Sequence, residues 1–192
     1  MIKVIAFDYS GVISPRLSSD EKMLHIDKTS SKYRYYLDAN NKMDLGLINN
    51  KEAEDILSDI SGIPSKDIWK RIYLKPKPYD EVIDIIKILK KKYKIILFSN
   101  FMAYYLRKLL AFHKLEKLFD NIIISSEFGL LKPNYDFYQI LIDKSEVKKD
   151  EILFIDDKLE NVTAANKFGI KAFVFTTAET LKEDLKNEGV KI

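Results

Sequence analysis

Two rhythms of apolar and polar positions divide this chain. Residues 2–7 are a nearly continuous apolar run broken only by Lys3, the pattern of a short strand covered on both faces. After Pro78 the pattern alternates. It predicts an amphipathic helix over 79–92, carrying Val82, Ile83, Ile85, Ile86, Ile88 and Leu89 and ending in the basic run Lys90-Lys91-Lys92. A strand over 94–98 and a helix over 103–113 follow, then a strand over 122–124 and a helix over 134–143 with Asn134 as its N-cap. A strand over 152–155 leads to a helix over 160–168 stopped by Gly169, a strand over 171–175 and a last helix over 179–188. Strands alternating with helices imply right-handed crossovers and an α/β fold, a doubly wound parallel sheet between helical layers.

Residues 16–76 interrupt that rhythm. They are polar, rich in Lys, Asp, Ser and Asn, and hold helical patterns such as 50–60 but no strand-like run. The expected organisation is a discontinuous α/β core, 1–15 and 77–192, with a small inserted unit of about four helices over 16–76.

Composition narrows the function classes. With 192 residues, 46% hydrophobic and 32% charged, the chain suits one soluble globular domain with a modest insertion. The 32 basic and 29 acidic residues nearly cancel, and no basic stripe with interleaved aromatics points to nucleic acid. The absence of cysteine excludes disulfides and thiolate metal sites. No signal-peptide pattern and no run of about 18 apolar residues is present, so the expectation is a cytoplasmic protein with neither a nucleic-acid nor a membrane partner.

The candidate chemistry lies at the ends of the predicted strands. Ligands bind at that edge of an open parallel sheet, because every strand finishes there. Asp8, Ser99 and the pair Asp156-Asp157 each follow a strand by at most a few residues, and Lys132 lies in the loop feeding the helix after the third strand. Three carboxylates beside a lysine and a hydroxyl suit a hard cation and a phosphate group. A lone aspartate after a strand is most often a helix cap. Four such signals in order make chance capping the weaker explanation.

These stretches carry a resemblance. Phe7-Asp8-Tyr9-Ser10-Gly11-Val12-Ile13, Leu97-Phe98-Ser99-Asn100, Gly129-Leu130-Leu131-Lys132-Pro133 and Phe154-Ile155-Asp156-Asp157-Lys158-Leu159-Glu160-Asn161 resemble, in order, the four motifs of the haloacid dehalogenase-like hydrolase superfamily. The likeness is to the subgroup with a helical cap inserted after the first motif, and it covers nearly the whole chain. Asp44-Leu45-Gly46-Leu47-Ile48 with the acidic helix after it is similar to members described as sugar-phosphate phosphatases.

The resemblance implies a Mg²⁺-dependent hydrolase of a small phosphorylated metabolite. Asp8 would attack phosphorus and become an aspartyl phosphate. The metal would be held by the Asp8 carboxylate, the Ser10 carbonyl and Asp157, with Asp156 reaching it through water and Asn161 orienting the acidic pair. Ser99, Asn100 and Lys132 would hold the phosphate oxygens and offset their charge.

Position 10 departs from the pattern. Most phosphatases that the chain resembles carry a second aspartate there, which protonates the leaving oxygen. Serine cannot supply that proton near neutral pH, and positioned acid–base catalysis is worth roughly 10²–10⁴ in rate. Three functions stay open: a slow or selective phosphatase that works on esters with a good leaving group or borrows an acid from the cap, carbon–halogen or carbon–phosphorus cleavage, and a phosphate- and Mg²⁺-binding module without useful turnover. Dehalogenases of the family work without the metal, so the presence of Asp156, Asp157 and Asn161 argues against that chemistry. A receiver domain also gathers acids around Mg²⁺, but it has no reason to carry a helical insertion after its first strand.

The remaining motifs read as structural. Tyr33-Arg34-Tyr35-Tyr36 suits a helix packing its aromatics with Arg34 in water more than a pocket lining or partner surface, Arg16 a solvated loop charge more than a contact to a substrate anion, and His25 and His113 isolated structural residues. Trp69 is placed to pack the insertion against the core.

Overall fold

The computed structural model describes residues 1–16, 27, 29–74 and 76–192. Five parallel strands form one sheet in the order β3-β2-β1-β4-β5. They are β1 (Val4–Phe7), β2 (Lys94–Ser99), β3 (Asn121–Ile124), β4 (Ile152–Asp156) and β5 (Lys171–Val174). β1 starts two residues later than its apolar run predicts, although Lys3 N still donates to the Glu151 carbonyl at 2.9 Å.

Strand periodicity explains the layers. Ile5 and Phe7 of β1, Ile95 and Leu97 of β2, and Leu153 and Ile155 of β4 share one apolar cluster, while their alternate neighbours Val4, Ala6, Ile96, Phe98, Ile152 and Phe154 share another. The first cluster takes in the buried faces of α3 (Asp80–Leu89), α4 (Ala103–Phe112) and α7 (Ala178–Asn187). The second takes in α5 (Tyr135–Ser145) and α6 (Leu159–Phe168). The sheet is thus doubly wound, with helices on both faces. Its strand order reverses at β1, which lies between β2 and β4.

Between β1 and α3 the described residues form α1 (Ser31–Asp44) and α2 (Asn50–Ser61). A 3₁₀ turn (Ser65–Asp67) and a π-helical turn (Trp69–Tyr73) follow, where the sequence suggested further helices. Ser30 caps α1, its side chain accepting from Tyr33 N. Asn49 and Glu52 close a capping box on α2, and Gly62, at φ +71°, ends it. Trp69 and Tyr73 turn inward. Tyr73 stacks on Tyr105 of α4 with centroids 3.8 Å apart, Trp69 stacks on the same ring at 6.3 Å, and Lys108 lies over the indole. Apolar side chains of α1, α2 and these turns join the first cluster, so the insertion shares the core of the sheet. Among the described residues, no helix is long and apolar enough to cross a membrane.

Candidate active site

Register places the acids. Phe7 of β1 pairs with Leu97 of β2 and with Ile155 of β4, so Asp8, Phe98 and Asp156 occupy the next row together. Asp8 N donates to the Ile155 carbonyl at 2.9 Å, which extends the ladder through the acid itself. Asp8 and Asp156 are buried, and with Asp157 their carboxylate oxygens lie within 4.8 Å of one another.

Lys132 neutralises this cluster. Its ammonium, on a side chain that is 0% exposed, lies 2.6 Å from Asp156 Oδ2 and 3.2 Å from Asp8 Oδ1, and donates to the Phe98 carbonyl at 3.0 Å. Burial alone would lower its pKa, but Asp156 and Asp8 outweigh that and hold the ammonium above its ordinary value. Asn100 fixes the lysine backbone from both sides: its side chain donates to the Lys132 carbonyl and accepts from Lys132 N, each at 2.9 Å. Asn134 caps the helix that follows by accepting from Asp136 N.

Asp8 Oδ1 also accepts from Ser99 Oγ at 2.6 Å and from Tyr9 N at 2.7 Å. Burial pushes its carboxyl up to about 6, against the pull of Lys132. Asn161, on the first turn of α6, donates to both oxygens of Asp156 at 3.0 and 2.9 Å, and Lys158 N donates to Oδ1 at 2.8 Å. Tyr138 of α5 steadies that turn by donating to the Asn161 carbonyl. Asp157 is different. One oxygen pairs with Arg16, whose guanidinium also donates to the Asp157 carbonyl, while Oδ1 is buried without a partner among the described residues. Gly11, at φ +89°, lets the loop after β1 pass so close that a Cβ there would overlap the Asp157 carboxylate.

All eight residues singled out in the sequence therefore converge: Asp8, Ser10, Ser99, Asn100, Lys132, Asp156, Asp157 and Asn161. Beside them opens a cavity of about 320 Å³, lined by Asp8, Ser10, Asn100, Lys132 and Asn161 on the sheet side. On the other side lie Tyr36, Asn40, Asn41, Met43 and Asp44 of α1, and Tyr73 of the π turn.

Two readings from the sequence are extended. Arg16 is exposed, as a loop charge is, but it also pairs with the carboxylate of Asp157, just past β4. Tyr36 packs as expected but also lines the cavity, while Arg34 is exposed. His25 lies outside the described residues. Asp44 and Lys158 had no strand-end signal of their own. Their place at the cavity depends on how α1 docks and how β4 turns into α6.

A sequence model described as haloacid dehalogenase-like hydrolase matches residues 21–175. The chain belongs to this family of hydrolases. Asp8 lies just outside the matched stretch, while Ser99, Lys132, Asp156 and Asp157 lie within it.

Members and relatives span several chemistries. The chain is 38% identical over 65 residues to a sesquiterpene phosphatase of Aspergillus oryzae, covering 31% of this chain and 33% of that protein. It is 33% identical over 79 residues to the bifunctional epoxide hydrolase 2 of Mus musculus, covering 41% and 14% respectively. It thus spans a third or less of the curated relatives it matches.

Whole-chain likeness comes from solved structures. A HAD family enzyme of Bacteroides thetaiotaomicron, in complex with magnesium and inorganic phosphate, superimposes with a TM-score of 0.75 at 21% identity, over 92% of this chain and 95% of that one. The L-2-haloacid dehalogenase of Xanthobacter autotrophicus superimposes with a TM-score of 0.68 at 18% identity, over 100% and 85%. At these identities the likeness shows the shared fold.

Proposed function

We propose that this chain is a Mg²⁺-dependent phosphatase of small phosphorylated metabolites, acting through an aspartyl phosphate on Asp8. One observation carries the reading. A buried carboxylate at a strand end accepts from a hydroxyl, shares an ammonium with a second carboxylate and clusters with a third, beside a cavity of metabolite size.

The donor set fits the cation. Hard carboxylate oxygens gather within a few ångströms, and Asp157 Oδ1 is a buried acceptor that no described residue satisfies. Asp8, Asp157 and the Ser10 carbonyl would hold the ion, with Asp156 close behind and fixed by Asn161. Bound there, Mg²⁺ would draw charge from the phosphoryl oxygens and let two anions approach.

The chain's own groups do the rest. Ser99 and Lys132 hold Asp8 ionised and aimed, and the ladder bond from its backbone fixes its distance from the cavity. Asp8 attacks phosphorus, the ester oxygen departs, and water later cleaves the acyl phosphate, so one hard displacement becomes two easier ones. Lys132 and the Asn100 loop stabilise the oxygens of the transferring group. The unit over 16–76 acts as the cap on a core formed by 1–15 and 77–192, excluding water and selecting the metabolite through α1. The relative described as a sesquiterpene phosphatase and the neighbour holding magnesium and phosphate support this reading.

The test is a Mg²⁺-dependent assay with p-nitrophenyl phosphate beside a panel of sugar phosphates. Asp8→Asn is expected to lower turnover by about 10³-fold or more. Undiminished hydrolysis in that variant would remove Asp8 from the reaction.

A further inference from the structure

The phosphatase reading leaves the departing alcohol without a proton donor, since position 10 is serine. An acid lines the same cavity from the other side. Asp44, the last residue of α1, borders it together with Asp8, Ser10 and Lys132.

The core, and not α1 alone, sets where Asp44 stands. Ser125 Oγ, just past β3, donates to the Asp44 carbonyl at 2.6 Å and accepts from Phe101 N at 2.9 Å, in the loop after β2. Two residues beyond Asp44, Gly46 adopts φ +71° and passes so near Ser126 that a Cβ would overlap the Ser126 carbonyl oxygen. Ser126 in turn accepts from Ala103 N at the start of α4. The end of α1 is therefore pressed onto the turn after β3, which is itself bonded to the loop that carries Asn100.

The carboxyl group is half-buried. Asn40 donates to Oδ2 at 3.2 Å, and Oδ1 accepts no hydrogen bond from a described residue. The charged groups facing it are Lys158 from the loop after β4, and Asp8 and Lys132 from the sheet edge. Burial, opposed by Lys158 and reinforced by Asp8, raises this carboxyl to about 7, so it holds a proton for much of the time at neutral pH.

We propose that Asp44 is the general acid and base of this site, reaching the reacting group from the inserted segment and doing the work that Ser10 cannot. This rests on the phosphatase reading. As Asp8 bonds to phosphorus and the bond from phosphorus to the ester oxygen breaks, the Asp44 proton passes to that oxygen and the alcohol leaves neutral. The Asp44 carboxylate then takes a proton from water, whose oxygen bonds to phosphorus while the Asp8–phosphorus bond breaks. Inorganic phosphate departs, and Asp8 and protonated Asp44 are restored.

The deciding quantity is kcat/KM, which covers only the steps through departure of the first product. It is measured for an alkyl phosphate, whose alkoxide needs the proton, and for p-nitrophenyl phosphate, whose phenolate does not. Asp44→Asn is expected to cut the alkyl value by about 10²-fold or more, and the aryl value at least about tenfold less. Asp44→Glu should restore part of the alkyl rate. The alkaline fall of the wild-type alkyl profile near pH 7 should be missing from Asp44→Asn. The ratio of the two esters is internal to each variant, so a partly unfolded preparation leaves it unchanged. Equal losses on both esters would overturn the proposal and leave Asp44 a structural residue, while the phosphatase reading stood. Aryl hydrolysis that survives Asp8→Asn would instead remove the phosphatase reading, and this proposal with it.

Discussion

Lys132 is the residue on which the acidic cluster most depends. It contacts two buried carboxylates and a main-chain carbonyl, and it is almost without solvent. Removing one member of a buried ion pair strands the other, at a cost of about 3–5 kcal/mol. Lys132→Met should lower unfolding free energy by about that much in urea melts at pH 7.5. Asn161 acts on geometry instead, gripping both oxygens of Asp156. Asn161→Ala is expected to weaken Mg²⁺ affinity about 10–100-fold, read by calorimetric titration.

Protonation at the same scale gives a third expectation. Asp8 and Asp44 have folded-state values of about 6 and about 7, above the ordinary carboxylate range. Between about pH 4 and pH 7 the native metal-free protein therefore holds protons that the unfolded chain has released. Stability contributed by these groups is greatest in acid and is lost as pH rises through that window. Asp44→Asn should be more stable than wild type at pH 8, with the gain fading toward pH 4. Melting temperatures across that range would check the sign.

At the scale of elements, legibility followed sequence distance. Asp8, Ser99 and Asp156 could be read because each ends or follows its own strand. Asn134 was visible as a cap because the capping geometry is local. The helix expected over 50–60 is α2, Asn50–Ser61. By contrast, the π turn at Trp69–Tyr73 packs on Tyr105, far away in sequence. Arg16 and Asp44 were opaque for the same reason: each meets the site through docking of a segment rather than through its own local pattern. Ser125 shows how much one junction can carry, since it joins the end of β3, the loop after β2 and the end of α1. Ser125→Ala leaves a buried N–H and a carbonyl without that partner, and should cost about 1–3 kcal/mol by the same urea melts.

For the whole molecule, one apolar cluster runs from the sheet through α3, α4 and α7 into α1, α2 and the turns after them. Unfolding should accordingly be a single transition, with Trp69 fluorescence and far-ultraviolet dichroism tracing the same curve. Separate midpoints would mean that the inserted segment melts by itself. The overall topology was legible because a buried parallel strand and an amphipathic helix leave different periods in a sequence. The arrangement also separates two kinds of position. Asp8, Ser99 and Asp156 belong to the strand ladder or its ends, whereas Tyr36, Leu37, Asn40 and Asn41 line the cavity from adjacent turns of one helix. Anyone wishing to change what this cavity accepts can randomise those four codons as a single cassette, leaving the rungs of the sheet untouched.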